Sequence, residues 1–260
     1  MKTNPFTLTF LGTGTSQGVP VIGCDCPVCR SDDPRDRRLR TAAMLDTGQS
    51  QIVIDVGPDF RQQMLRAGAA NVRAVLLTHE HNDHIIGLDD LRPFNFLQWR
   101  NMPIYASERV CENVRHRFAY IFAAEKYPGA PLLELRAIDK DEPLLLEGLP
   151  VQPIEVMHGK LPVLGFRIGA LTYLTDMKTI ADEELEKVAG SRILVVNALH
   201  HNPHQTHLNL EEALAFVERV RPEQAYLLHC SHRMGLHAEV SAELPENVFL
   251  AYDGLQLKIE

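Results

Sequence analysis

Between residues 78 and 84 the chain reads Thr-His-Glu-His-Asn-Asp-His, so four potential metal ligands, His79, His81, Asp83 and His84, fall within six positions. Imidazole nitrogen and carboxylate oxygen together suit Zn²⁺, Mn²⁺ or Fe²⁺. A loop turning round one tetrahedral ion cannot present all four comfortably. His79 and His81, two apart, can converge on one ion, while Asp83 and His84 can reach a second. Such a pair leaves positions open for water, whose pKa a metal lowers from 15.7 to roughly 7, and two ions about 3.5–4 Å apart stabilise both oxygens of a displacement at phosphorus. The expected chemistry is hydrolysis. A histidine-rich surface loop would explain neither the spacing nor the apolar run, Val72 to Leu77, that leads into it.

Three of the five cysteines crowd into Cys24-Asp25-Cys26-Pro27-Val28-Cys29. In a reducing compartment that crowding indicates a metal site rather than a disulfide framework. Three thiolates need a fourth ligand to close a tetrahedral structural zinc. Cys111 and Cys230 have no partner by spacing and are expected to be packed thiols. Gly12-x-Gly14-x-x-x-Gly18 lacks the Gly-Lys-Ser/Thr end of a phosphate-binding loop and indicates a tight turn. Of the remaining histidines, His116 and His237 are expected at the surface. His200, His201 and His204 are expected in a polar loop at the mouth of the site or against substrate.

These groups must be positioned by the elements around them. Strand patterns run over 6–11, 51–56 and 72–78, with a helix from Asp59 to Ala67 closed by Gly68. A short helical pattern from Ile85 to Leu91 is expected to stop at Pro93, and helical spacing covers about 108–127. Strand–turn patterns follow at 143–157 and 163–175, the second reading as a hairpin, and 193–196 reads as a buried strand. Leu210–Val220 is an amphipathic helix with Glu211 and Glu212 in its first turn, where acid suits the helix dipole, and 225–228 is a strand. Interleaved strands and helices predict an α/β fold. With no repeat or linker composition, residues 1–260 are expected to form one domain.

The composition narrows the function. Hydrophobic residues at 45% and charged residues at 23% exclude a disordered chain. The 26 Lys+Arg against 34 Asp+Glu give a net charge of −8, which argues against long nucleic acid as a partner. No apolar run approaches the ~18 residues of a membrane span. The start, Met1 to Leu11, is too short and interrupted for a signal peptide, so the expected location is the cytoplasm.

His79-x-His81-x-Asp83-His84 after a strand resembles the signature of the metallo-β-lactamase superfamily. The resemblance implies a four-layer αββα sandwich with two metals at one edge. It also implies further residues in order: Asp55 as a carboxylate behind the ligands, His158, Asp176 bridging the metals, and His229 after the last core strand. His79, His81 and His158 would hold one ion and Asp83, His84 and His229 the other. His232, three residues past His229, is the candidate fourth ligand for Cys24, Cys26 and Cys29, stapling the N-terminal loop to the loop of His229.

The cysteine loop, the Gly-rich turn and the His-x-x-His near the end narrow the resemblance to the PhnP-like phosphodiesterase branch, related to RNase Z. That branch implies a small, cyclic or nucleotide-like phosphodiester substrate, with Asp83 in the catalytic machinery and His207 as general acid. The cofactors implied are two catalytic divalent metals, Zn or Mn, and one structural Zn. A homodimer is the assembly expected on general grounds. Two relatives compete: an RNase-Z-like nuclease, which should carry a basic RNA-binding patch, and a PqqB-like cofactor-processing protein, in which the paired-metal motif is expected to be degenerate. A non-catalytic zinc scaffold would leave the full ligand set unexplained.

Overall fold

The apolar runs at 52–54 and 193–196 lack polar alternation, and strands of that kind are covered on both faces. A computed structural model, describing residues 4–260, shows what covers them. (Met1 to Thr3, where the expectation about a signal peptide begins, lie outside the described residues.) Strands β1 (Phe6–Gly12), β2 (Ala42–Asp46), β3 (Gln51–Ile54), β4 (Val72–Leu76), β5 (Met102–Ala106) and β6 (Leu133–Ala137) lie side by side in chain order. A second sheet holds β7 (Leu144–Leu146), β8 (Leu149–His158), β9 (Leu161–Ile168), β10 (Leu171–Tyr173), β11 (Ile193–Asn197), β12 (Gln224–Leu228) and β13 (Val248–Leu250), again in chain order. The last strand, β14 (Gln256–Ile259), returns to pair with β1 and completes the first sheet.

Each sheet is antiparallel in its early strands and parallel from β3 to β6 and from β10 to β13. Parallel neighbours need crossovers, and these carry helices such as Phe60–Ala67, Glu108–Arg117, Asp182–Val188 and Leu210–Val220. Ile52 and Ile54 point between the sheets, among Phe166, Tyr173, Val195 and Tyr226. Val53 faces the other way, into Phe60, Met64, Leu88 and Val110. In the second sheet Leu194 and Val196 pack outward against Ala213, Phe216 and Val217. The expected four-layer αββα sandwich follows from this burial on both faces. Among the described residues no helix is long and apolar enough to cross a membrane.

Several local expectations change. Pro93 does not stop a helix; it lies in the first turn of the helix Arg92–Gln98, where its missing N–H would have had no partner anyway. The helical spacing over 108–127 divides into Glu108–Arg117 and Ala119–Phe122, because Phe118 leaves the helical region at φ −108°, ψ 39°. The strand at 51–56 ends at Ile54, since Asp55 turns into the left-handed region at φ 64°. His237 is buried rather than at the surface. Its N–H donates to Asp36 Oδ1 at 2.7 Å and its ring lies 3.4 Å from the buried Arg38. Burial and then the Arg38 cation bring that imidazole down to about 4.

Candidate metal centre

Parallel strands deliver their C-terminal ends to one edge of a sheet, and open α/β sheets carry their sites there. Asp55 follows β3, His79 to His84 follow β4, Asp176 follows β10, His229 follows β12, and His158 ends β8. Three of these residues are non-glycine at positive φ: Asp55 at 64°, Asp176 at 55° and His229 at 58°. Such conformations cost of order 1–3 kcal/mol each and persist where the surroundings over-determine them. The motif helix starting at Asn82 is brought in by two glycines. A Cβ on Gly57 would sit 2.2 Å from Asp83 O, and one on Gly87 2.1 Å from Gly57 O. Backbone meets backbone there, with Val56 N–H donating to His84 O and Gly87 N–H to Val56 O.

All seven residues expected as catalytic-metal ligands meet at this edge. Ligand atoms of His79, His81, His158 and Asp176 lie within 4.8 Å of one another, as do those of Asp83, His84, Asp176 and His229. Asp176 belongs to both groups. Its Oδ2 is 3.6 Å from His79 Nε2 and 3.5 Å from His84 Nε2, and its Oδ1 is 3.2 Å from His229 Nδ1.

A ring of hydrogen bonds aims these side chains. Asp55, fully buried, accepts from Thr78 N–H and Thr78 Oγ1, both at 2.8 Å, and pairs with His84 Nδ1 at 2.7 Å. That bond leaves His84 Nε2 facing the centre, where it is buried with no hydrogen-bond partner. His158 Nδ1 is held at 2.8 Å by the Thr206 carbonyl. His229 sits between Thr41 Oγ1, 2.9 Å from Nδ1, and Thr15 Oγ1, 3.2 Å from Nε2. Outside the ring, Arg109 pairs with Glu80 and donates to Pro162 O, and Arg117 donates to Asn82. Of these partners only Asp55 was expected. Thr78 was readable as the residue between strand and motif; Thr15, Thr41, Thr206, Arg109 and Arg117 carry no local pattern.

The electrostatics describe a site made for cations. Burial opposes ionisation of Asp176, yet His229 and His84 hold it well below the usual carboxylate range. Burial likewise opposes a charge on His84, but Asp176 and Asp55 push it well above the ordinary imidazole. Desolvation keeps His79 low and brings His229 to about 4. Three carboxylates, Asp55, Asp83 and Asp176, thus stand among the clustered imidazoles. Divalent ions would balance such a donor set, whose nitrogens and oxygens suit Zn²⁺ or Mn²⁺.

A second cluster joins Cys24, Cys26 and Cys29 to His232, whose Nδ1 lies 3.2, 3.5 and 3.5 Å from the three sulfurs. This spacing suits four ligands around one tetrahedral zinc. The Cys29 N–H at Cys26 Sγ helps bring that thiol down to about 6. Thr15 N–H donates to Cys230 O and Cys230 N–H to Thr13 O, so the N-terminal loop and the His229 loop run together. Cys111 and Cys230 are buried free thiols, as expected. Gly12 permits a close turn, since a Cβ there would meet Arg40 O at 2.0 Å. His207 also reaches the centre, its Nε2 3.4 Å from Asp176 Oδ2 and its ring stacked on His229. His204 stands behind it, 3.2 Å away, whereas His201 bonds Met234 O at the exposed side of the loop.

A four-layer sandwich with paired His/Asp clusters at its strand ends defines a class, and a family model described as a beta-lactamase superfamily domain matches residues 50–230. The chain belongs to the metallo-β-lactamase superfamily. Within it, the chain is 40% identical to a crystal structure of a diphosphatase from the PhnP family, with TM-score 0.92, covering 98% of this chain and 97% of that one. Zn²⁺-bound PqqB from Methylobacterium extorquens shares the fold, with TM-score 0.80 and 19% identity over 97% of this chain and 100% of that one. An octanoyltransferase of Porphyromonas gingivalis (strain ATCC BAA-308 / W83) is 44% identical over 253 residues, 96% of this chain and 51% of that protein. The chain therefore spans about half the length of that relative.

Proposed function

We propose that the protein is a metal-dependent hydrolase of small phosphodiesters, with cyclic or nucleotide-like diesters as the substrate class. The observation that carries the reading is the sharing of Asp176 between two groups of ligand atoms at one open sheet edge. In this reading His79, His81 and His158 hold one divalent ion, Asp83, His84 and His229 the other, and Asp176 touches both. When bound, such a pair supplies Lewis-acid activation for displacement at phosphorus. Asp55 fixes the ring of His84, the Thr206 carbonyl fixes His158, and Thr15, at Nε2, fixes His229 with Nδ1 toward Asp176, so the ligands are oriented in advance. His207, within reach of Asp176, gives a proton to the departing oxygen. Cys24, Cys26, Cys29 and His232 hold a structural zinc. The −8 charge supports a small substrate over long nucleic acid, and the unpaired thiols support a cytoplasmic location.

A second reading, hydrolysis of a diphosphate, is favoured by the 40% identity to a PhnP-family diphosphatase. Octanoyl transfer is not carried over from the Porphyromonas protein, because half of that relative lies outside the match. The readings separate in one assay. Purified protein loaded with Zn²⁺, Mn²⁺ or Fe²⁺ is offered bis(p-nitrophenyl) phosphate, a 2′,3′-cyclic nucleotide and a diphosphate ester. Diester turnover that is lost in Asp83→Ala is expected. Turnover of the diphosphate alone would select the second reading, and diester activity surviving Asp83→Ala would remove the first.

A further inference from the structure

The segment from Leu199 to Asn209 carries three histidines in a row through space. Ring centroids of His200 and His204 are 5.9 Å apart, and those of His204 and His207 are 5.1 Å apart. His207 turns Nε2 toward Asp176 and Nδ1 the other way, 3.2 Å from His204 Nδ1 and 3.0 Å from Thr206 Oγ1. Two ring nitrogens that close make a hydrogen bond when one of them carries the proton, and which ring owns it depends on the tautomers. The backbone decides. The Thr206 N–H can only donate, and it points at His204 Nδ1 from 3.3 Å. His204 Nδ1 is therefore an acceptor, its own proton lies on Nε2, and the shared proton belongs to His207 Nδ1.

We propose that His204 is a positioning residue for His207. It holds that ring with a proton on Nδ1 and Nε2 directed at the reacting side, so the proton that His207 gives up comes from Nε2. The inference rests on the general-acid reading of His207. The step balances: the departing oxygen gains the proton, the Nε2–H bond breaks and its electron pair stays on nitrogen. The ring is left neutral in the Nδ1–H form that His204 and Thr206 accept. An acceptor behind a catalytic imidazole, fixing its tautomer and orientation, is the third member of the nucleophile–base–orienter logic. Among the described residues no carboxylate bonds His207 Nδ1, so a neutral imidazole fills that place. Thr206 supports the arrangement from both sides, since its carbonyl also holds His158.

The test uses the zinc-loaded enzyme, diesters of graded leaving-group pKa, and three variants: His207→Ala, His204→Ala and His204→Asn. His204→Ala is expected to lower kcat roughly tenfold or more for poor leaving groups and less than about threefold for p-nitrophenolate, a part of the 10²–10⁴ of general acid catalysis. Asn offers Oδ1 where Nδ1 stood, so His204→Asn should recover most of the loss. Equal losses for all leaving groups, no loss, or no recovery with Asn would each overturn the proposal. Nitrogen-15 spectra of the imidazoles give a readout apart from activity: neutral His207 should carry its proton on Nδ1, and a proton on Nε2 would overturn the assignment. If His207→Ala itself shows no dependence on leaving group, the general-acid reading fails instead.

Discussion

The two candidate metal sites are built on opposite plans. Cys24, Cys26 and Cys29 come from one short loop, are partly exposed, and need a single distant residue, His232. The His/Asp centre takes its residues from strand ends spread between His79 and His229, and His79 and His84 are wholly buried. The cysteine site is written locally in the chain, while the buried centre is a product of topology. A closed set of four ligands has no position left for chemistry and can only add folding energy; a shared, open set can do work on a substrate. The difference in construction therefore predicts a difference in what each loses when broken.

Asp176→Ala should have the largest effect. Metal analysis is expected to show both ions lost from the buried centre, the cysteine-site zinc retained and activity at background. Loss of only one ion would mean that Asp176 is not shared. Cys26→Ala should invert the pattern, removing one zinc per chain and lowering the melting temperature by roughly 5–10 °C, as expected for a few kcal/mol in a chain of this size. Activity should return on cooling, when the His229 loop is held without the staple; activity that stays lost in the cold would place the cysteine site in the chemistry. The smallest effect is expected outside both sites. Asn209 caps the helix Leu210–Val220 in a reciprocal box with Glu212. Asn209→Ala should cost about 1 kcal/mol, or about 2–4 °C, with metal content unchanged. A fall in bound metal would show that the helix start and the neighbouring His207 loop move together.

The comparison also explains what was legible beforehand. His79 to His84 could be read because four ligands fall in one stretch, and Cys24 to Cys29 for the same reason. His158 and Asp176 stand alone in sequence and were placed only through resemblance to a family. Thr15 and Thr41 were invisible, since their partner His229 lies 214 and 188 positions away. Among the elements, β3 and β11 announced themselves by unbroken apolar residues with both faces to be covered. β2, Ala-Ala-Met-Leu-Asp, and β6, Leu-Glu-Leu-Arg-Ala, have weak strand propensity and were not anticipated; pairing with their neighbours makes them strands. His237 was misplaced because nothing nearby reveals that Arg38 and Asp36 will close over it.

The span between Cys24 and His232 has a consequence for how the molecule is made. The contact crosses 208 positions, and synthesis proceeds at about 5–20 residues per second. The three thiols therefore leave the ribosome tens of seconds ahead of the imidazole that joins them. Through that interval β2 to β12 are still being synthesised, and β12 leads directly to His232. Contacts so far apart in the chain carry a large loop-closure cost, which slows their formation. A zinc bound there on three thiolates would wait for its fourth ligand until nearly the whole sandwich is in place. Closing such a site would set a seal on a finished fold rather than supply a nucleus from which the fold grows.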